Sequence, residues 1–439
     1  MVKTFGCQMN KHDSERIAGV LVEQGFEPTK KVESADIIVF NTCCVREHAE
    51  KRLYGQVASL KPLKEKKGDL IIAVGGCLAQ KAGRRIQDVA PHVDLVFGTH
   101  NIARLGSLVT EVRRNKAPRC ELWETSEFFP SELPSLRDNP SQAWVSITIG
   151  CNNFCSYCVV PYVRGPEKSR ELDDISSEIK KLVTEGVKEV TLLGQNVNSY
   201  GRDLYGKGSL DALLYALNEI DGLERIRFIT SHPRDLDEMV IAAIKSCEKV
   251  CEYLHLPIQA GSDRILELMK RGYTRRQYLE LVDRIRAEIP EISLSTDIIV
   301  GFPGESEEDF EETLKVLENV EFDQVFSFIY SPRSGTPAAA MGDQVVVEAK
   351  RDRFGRLLEK QYPITLKRNL AQVGKRLEVL VEGPSKKNAR VLMGRSRDNR
   401  VVHFRGPREL ASEVVSVDIL KAQTWHLEGI AADKGQRSA

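Results

Sequence analysis

Eight residues, Cys151-Asn152-Asn153-Phe154-Cys155-Ser156-Tyr157-Cys158, constrain this chain more than any other stretch. They set three cysteines at C-x3-C-x2-C spacing on one tight loop. Three thiolates so placed can each take one iron of a cubane cluster, which leaves the fourth iron open to a reactant. Soft thiolates also suit zinc, but a structural zinc site is closed by a fourth ligand, and none stands at finger-like spacing here. A loop of chance cysteines or a structural metal is the competing reading. It leaves unexplained the aromatic residue before the third cysteine and the position of the loop directly after an apolar run, 143–149.

That run opens a series. Strands are expected at 143–149, 189–193, 225–230, 250–256, 294–300 and 324–330, with amphipathic helices such as 172–184 and 275–287 between most of them. Six βα units in succession predict a partial, TIM-like parallel barrel, short of the eight that close one, and put the cysteine loop at the C-terminal face where barrel active sites lie. Upstream, buried strands at 2–5, 36–40, 70–74 and 94–97 alternate with helical stretches 13–24 and 46–60, which predicts a parallel α/β sheet. Prolines 118, 130, 134 and 140 mark 115–142 as a linker, with Trp123, Phe128 and Phe129 to pack it down. Downstream, alternating runs at 377–381, 389–392, 401–403 and 414–420 predict a small antiparallel β-barrel, and the tail after Gly429 reads as frayed. The expected class is α/β, with domains at 1–114, 143–371 and 372–435.

Three further cysteines, Cys7, Cys43 and Cys77, each stand just past the end of an N-terminal strand. Strand carboxyl ends in an open parallel sheet share one crevice, so the three thiols can converge on a second cluster. Singly, each reads as a small buried hydrophobe. Cys44 competes with Cys43 for this place. Cys120, Cys247 and Cys251 read as ordinary packing residues.

The C-x3-C-x2-C loop resembles the signature of the radical S-adenosylmethionine (SAM) superfamily. The resemblance narrows over nearly the whole chain. Thr4-Phe5-Gly6-Cys7-Gln8-Met9-Asn10 with Asp13-Ser14-Glu15, Asn41-Thr42-Cys43, Gly75-Gly76-Cys77, the stretch 150–170 and Gly194-Gln195-Asn196-Val197-Asn198-Ser199-Tyr200 are similar to the methylthiotransferases. The Gln8-Met9-Asn10 triplet and 332–339 favour the branch that modifies a prenylated adenosine in transfer RNA over those acting on threonylcarbamoyl-adenosine or a ribosomal protein. A different class, a non-catalytic iron–sulfur electron carrier or RNA scaffold, would need neither an open iron nor a SAM pocket.

The resemblance implies two 4Fe-4S clusters, one on Cys151, Cys155 and Cys158 and an auxiliary one on Cys7, Cys43 and Cys77. SAM on the first is cleaved to a 5′-deoxyadenosyl radical, which takes the hydrogen from adenine carbon 2. The auxiliary cluster carries the sulfur, methylated by another SAM. SAM contacts are expected from Tyr157, Gln195, Ser231, Gln259, Ser262, Ile299 and Gly301, all near strand ends. The sequence departs from the family pattern at Glu171 and Ala260, neither a cluster ligand.

Charge is uninformative globally, with 63 Lys+Arg against 63 Asp+Glu, but not locally. From Lys375 to Arg408 ten basic residues face three acids, a balance of +7. That suits a phosphate backbone, and the family counterpart is the TRAM RNA-binding domain. RNA contacts are expected from Lys375, Arg376, Lys386, Lys387, Arg390, Arg395, Arg397 and Arg400. The basic stretch 164–170 either guides RNA to the barrel or closes its mouth with ion pairs. The expected partners are a tRNA anticodon stem-loop, a flavodoxin- or ferredoxin-like electron donor and a sulfur- or cluster-supplying protein. No apolar leader follows Met1 and no run is long enough to span a bilayer, so a cytoplasmic protein with no membrane partner is expected; the expected state is a monomer.

Overall fold

A computed structural model describes residues 1–43, 47–125, 129, 133–386 and 388–432, with 47–49 as backbone only. Cys44, Phe128 and Lys387 lie outside the described residues.

The N-terminal sheet holds five parallel strands in sequence order: β1 (Val2–Phe5), β2 (Ile37–Thr42), β3 (Ile71–Gly76), β4 (Leu95–Phe97) and β5 (Arg119–Glu121). β2 and β3 are buried at every position, because helices cover both faces of the sheet. This is why Ile37-Ile38-Val39-Phe40 and Ile71-Ile72-Ala73-Val74 run apolar without alternation. β5 lies inside the stretch expected to be linker. Arg-Cys-Glu carries no strand pattern, and it is the free edge beside β4 that recruits it.

The central region begins with β6 (Gln142–Ser146) and a short hairpin of β7 (Thr148–Ile149) with β8 (Lys168–Ser169), which brackets the cysteine loop. β9 (Glu189–Leu193), β10 (Arg225–Phe228), β11 (Tyr253–His255), β12 (Ser293–Val300) and β13 (Gln324–Ile329) follow. They form two parallel sheets, β6-β9-β10 and β11-β12-β13, joined by the bridge Ile226↔Val250. The result is the expected open six-stranded arc. Its apolar core lies between the strands and the outer helices. Thr274 and Ser306 start two of those helices with reciprocal capping boxes.

The C-terminal strands β14 (Arg376–Pro384), β15 (Leu392–Ser396), β16 (Val401–Arg405), β17 (Val414–Ala422) and β18 (Leu427–Ala431) close a barrel. β18 corrects the expectation of a frayed tail after Gly429. It closes the barrel by pairing parallel to β16 and antiparallel to β17. Its Gly429 is required, since a Cβ there would lie 2.4 Å from the Asp418 carbonyl. No helix among the described residues is long and apolar enough to cross a membrane.

The domains are locked together. The helix Gln8–Glu23 packs on β6, and its Arg16 reaches Glu178 of the barrel at 2.5 Å. Arg225 and Arg227, at the start of β10, donate to Glu378 and to the carbonyls of Arg395, Ser396 and Arg397 in the C-terminal barrel.

Candidate active site

The cysteine loop is built by backbone constraint. Gly150 has φ +79°, and a Cβ on it would lie 2.0 Å from the Pro166 carbonyl. Its N–H donates to Gln195 Oε1 at 2.6 Å, so that amide oxygen shapes the loop. Ser156 ties the loop down through Leu268 O (2.7 Å) and Met269 O (3.1 Å). Cys151 and Cys155 are buried and Cys158 half-buried. Burial pushes the Cys151 thiol up to about 11 and Cys158 up to about 12. Such thiols ionise together only around a cation.

Buried Arg271 faces this loop, with Nη1 3.4 Å from both Cys155 Sγ and Tyr157 Oη. It is held by Pro257 O and Tyr273 Oη at 2.9 and 3.0 Å. Nothing in the sequence around Arg271 singles it out. Phe154, at φ +46°, turns an exposed ring onto Tyr162.

Around the barrel mouth several buried polar atoms have no hydrogen-bond partner: Thr148 Oγ1, Asn196 Oδ1, Asn198 Oδ1, Ser231 Oγ and His232 Nε2. His232 Nδ1 accepts from the Arg234 N–H. Burial, with the charge of Arg271, pushes the ring down to about 3. The ring is therefore neutral, with its proton on Nε2, a donor facing the site.

The other expected SAM contacts divide. Ile299 and Tyr157 pack against one apolar cluster. Gln259, at φ +77°, is stitched to β12 through Asp297 O and the Ile299 N–H. Ser262 donates to Asp309 at 2.5 Å, and the Gly301 N–H to Glu305 at 2.9 Å, so both are engaged in holding loops.

The second cysteine set follows from strand register. Thr42 pairs with Gly76 and Phe5 with Thr42, so Cys43 and Cys77 emerge side by side and Cys7 two residues past β1. A Cβ on Gly6 would lie 2.6 Å from the Cys43 Cβ, and one on Gly76 only 2.3 Å from Asn41 Oδ1. Asn41 in turn holds Asn10, whose Oδ1 accepts from the Cys7 thiol at 3.3 Å. A hydrogen bond with Cys43, helped by the charge of Arg164, draws Cys7 down to about 6.

Arg164 joins the two sets. It ends the short helix Val160–Arg164 that follows Cys158, and it pairs with Asp13 at 2.6 Å, both buried. Its charge acts on Cys77 and Cys7. Val159 and Val163 pack in the same cluster as Cys77 and Leu78. Of the basic stretch 164–170, Arg170 pairs with Glu178 at 2.6 Å, so ion pairing is the role the geometry gives both of its buried arginines.

Cys7 opens onto a cavity of 1490 Å³ bounded by the inner face of the arc, including Trp144, Thr230, His255, Asp297 and Phe328. Among the described residues no three Cys, His, Asp or Glu side chains are drawn close enough to hold a single metal ion. A cubane asks its three donors to stand farther apart than one ion does, because each binds a different iron. The donor chemistry and the orphaned polar atoms at the barrel mouth fit a cluster with a polar ligand beside it.

The expected RNA contacts also divide. Arg400 is half-buried, its side chain turned in against Asp323, Asp398 and Asn369. Arg397 pairs with Glu252 at 2.7 Å, Arg376 with Asp418 at 2.7 Å and Arg395 with Glu382 at 3.1 Å. Lys375 meets Glu291 at 3.2 Å. Lys386 and Arg390 lie exposed around the β14–β15 turn.

Residues 1–98 match the uncharacterized protein family UPF0004, 145–317 the radical SAM superfamily and 370–432 the TRAM domain. Two solved structures share the fold at low identity. The radical S-adenosylmethionine methyltransferase TsrM from Kitasatospora setae has TM-score 0.54 and 14% identity, over 75% of this chain and 74% of that one. The cobalamin-dependent radical enzyme OxsB has TM-score 0.51 and 13% identity, over 83% and 55%. Full-length relatives are far nearer in sequence. The tRNA-2-methylthio-N(6)-dimethylallyladenosine synthases of Acetivibrio thermocellus and Carboxydothermus hydrogenoformans are each 50% identical, over 98% and 97% of this chain and 90% and 98% of theirs. The chain belongs to the tRNA-2-methylthio-N(6)-dimethylallyladenosine synthase family of radical SAM enzymes.

Proposed function

We propose that the protein inserts a methylthio group at carbon 2 of N6-dimethylallyl-adenosine in a tRNA anticodon loop. The observation that carries this reading is the pairing of two thiol sets through one five-residue helix, beside a chamber large enough for a nucleoside. Cys151, Cys155 and Cys158 hold one 4Fe-4S cluster and Cys7, Cys43 and Cys77 the other. SAM on the first supplies the hydrogen-abstracting chemistry.

The chain's own residues do the rest. Arg271 offsets negative charge at Cys155. His232 Nε2–H and Ser231 Oγ offer hydrogen bonds to a polar ligand at the barrel mouth. Asn10 and Arg164 orient the Cys7 side. The buried strand ends exclude water, which keeps a reactive species from being quenched. A flavodoxin- or ferredoxin-like donor supplies electrons, and a sulfur- or cluster-supplying protein restores the sulfur. The enzyme works as a cytoplasmic monomer.

Anaerobically reconstituted protein with SAM, dithionite and prenylated tRNA tests the reading. The expected products are 5′-deoxyadenosine and a 2-methylthio nucleoside by mass spectrometry; absence of both overturns it. Cys155→Ala abolishes both products. Cys43→Ala retains 5′-deoxyadenosine and loses the methylthio nucleoside.

A further inference from the structure

β13 turns two phenylalanines into the chamber. Phe326 and Phe328 are 39% and 36% exposed, whereas Phe302, Phe310 and Phe322 nearby in sequence are fully buried. Two residues apart on a strand, they lie on one face, and both line the cavity that Cys7 opens onto. Water-facing phenyl rings in a concave site forgo the burial that stabilises such side chains elsewhere. The arrangement makes sense where an apolar part of a ligand covers them.

Their neighbours say which ligand. Register places Phe326 beside Asp297 and Phe328 beside Ile299. The Phe326 ring meets the His255 ring edge-on at 5.6 Å. His255 is oriented by Ser295 Oγ at 2.9 Å, with Nε2 3.5 Å from Asp297 Oδ1. The chamber wall therefore sets a carboxylate acceptor directly next to an aromatic patch. An adenine carrying one alkyl group on N6 has the matching pair on a single nitrogen, one N–H donor and an apolar chain. A carbamoyl–amino-acid chain at N6 would instead bring its own carboxylate toward Asp297 and polar atoms onto the phenyl faces. Arg227 and Arg395, which also line the cavity, are committed to Glu189 and Glu382.

We propose that Phe326 and Phe328 are specificity-determining residues that hold the N6-dimethylallyl chain, with Asp297 accepting its N6–H. This assigns a subsite for the substrate class of the proposed function and rests on that reading.

The test compares anticodon stem-loop RNAs identical except at the target, which is dimethylallyl-adenosine, adenosine or threonylcarbamoyl-adenosine. Affinities are measured without turnover, on cluster-loaded protein. The parent is expected to prefer the prenylated loop over the other two by about tenfold to a hundredfold, the range an apolar pocket gives for missing carbons. Phe326→Ser with Phe328→Ser brings that preference to within about twofold, and Leu at both positions restores most of it, since Leu is also apolar. A parent without preference, or a serine variant with normal cluster absorbance that keeps it, overturns the subsite. If the serine variant misfolds, the parent's ranking of the three RNAs and the leucine variant still decide. Methylthio product is assayed on the same samples. Preference without product would sink the proposed function and leave the subsite standing.

Discussion

A single charge placed against a thiol is the smallest unit of function in this site. Arg271 donates toward Cys155 Sγ at 3.4 Å and is clamped by Pro257 O and Tyr273, so it cannot swing away. A cation at that distance favours the more negative, reduced form of a cluster. Arg271→Met is expected to lower the midpoint potential of the cluster proposed at Cys151, Cys155 and Cys158 by roughly 60 mV, about tenfold in a one-electron equilibrium. A spectroscopic redox titration measures it, and an unchanged midpoint would remove Arg271 from this role. Glu15 gives a second residue-scale prediction. Burial, with the charge of Asp138 adding, pushes its carboxyl up to about 7. The folded state thus holds this proton more tightly than the unfolded chain, whose carboxyl titrates near 4.5. Its stabilising contribution is whole below pH 4.5 and is lost as pH rises to 7. Glu15→Gln should raise stability by about 1–3 kcal/mol at pH 8, with no gain at pH 4.5, read from melting curves at both. Cys151, Cys155 and Cys158 stand out in sequence by their spacing, and Cys7, Cys43 and Cys77 by following strand ends. Arg271 does not stand out, and the burial of Glu15 is not visible behind its place in a motif, because a charged residue acquires its environment from neighbours distant in sequence.

Elements follow the same logic one step up. The helix Val160–Arg164 is too short to show a helical period and holds Pro161 in its only turn, so in sequence only its last residue, Arg164, stands out, as the first of a basic stretch. In the fold it is the bridge between the two cysteine sets. Thr99 Oγ1 holds its Val163 carbonyl at 2.9 Å, Val163 and the preceding Val159 pack in the cluster of Cys77, and Arg164 reaches Asp13. Removing one member of a buried ion pair leaves the other charge uncompensated, a loss of about 3–5 kcal/mol. Asp13→Asn is therefore expected to lower the melting temperature and to misalign the sets, so that 5′-deoxyadenosine still forms while methylthio product falls at least about tenfold. Product ratios measured by mass spectrometry decide; an unchanged ratio would show the bridge to be structural only. The strands divide the same way. β2 and β3 were legible because strands buried on both faces of a parallel sheet must be apolar runs. β5 and β18 were not, because β5 is an edge recruited by its neighbour and β18 carries Gly429, which reads as a break until the barrel around it demands a residue without a side chain.

For the whole molecule, charge separates docking from RNA binding. The cluster of basic residues from Lys375 to Arg408 looks uniform in sequence, yet the fold divides it. Arg397 and Arg400 face Glu252 and Asp323 of the central region and fasten the C-terminal barrel to it, whereas Lys386 and Arg390 stand exposed at the β14–β15 turn. Sequence spacing cannot make this division, because it depends on which barrel face meets the strand ends of the arc. The two groups should respond oppositely. Every cation withdrawn from a phosphate lowers the slope of log affinity against log salt by about 0.7–0.9. Lys386→Glu with Arg390→Glu is thus expected to weaken tRNA binding at low salt by at least about tenfold and to flatten that slope by roughly 1.4–1.8, with an unchanged melting temperature. Arg400→Ala strips one of two arginines from Asp323, which keeps Arg368 at 3.0 Å, and should destabilise the protein by about 1.5–3 kcal/mol, while leaving the salt slope as it was. Titrations of tRNA at several salt concentrations, run beside melting curves, distinguish the two. If Arg400→Ala flattened the slope and the charge reversals at 386 and 390 did not, the phosphate-binding face would have to lie on the side of the barrel that here meets the central arc, and docking and RNA binding would compete for one surface.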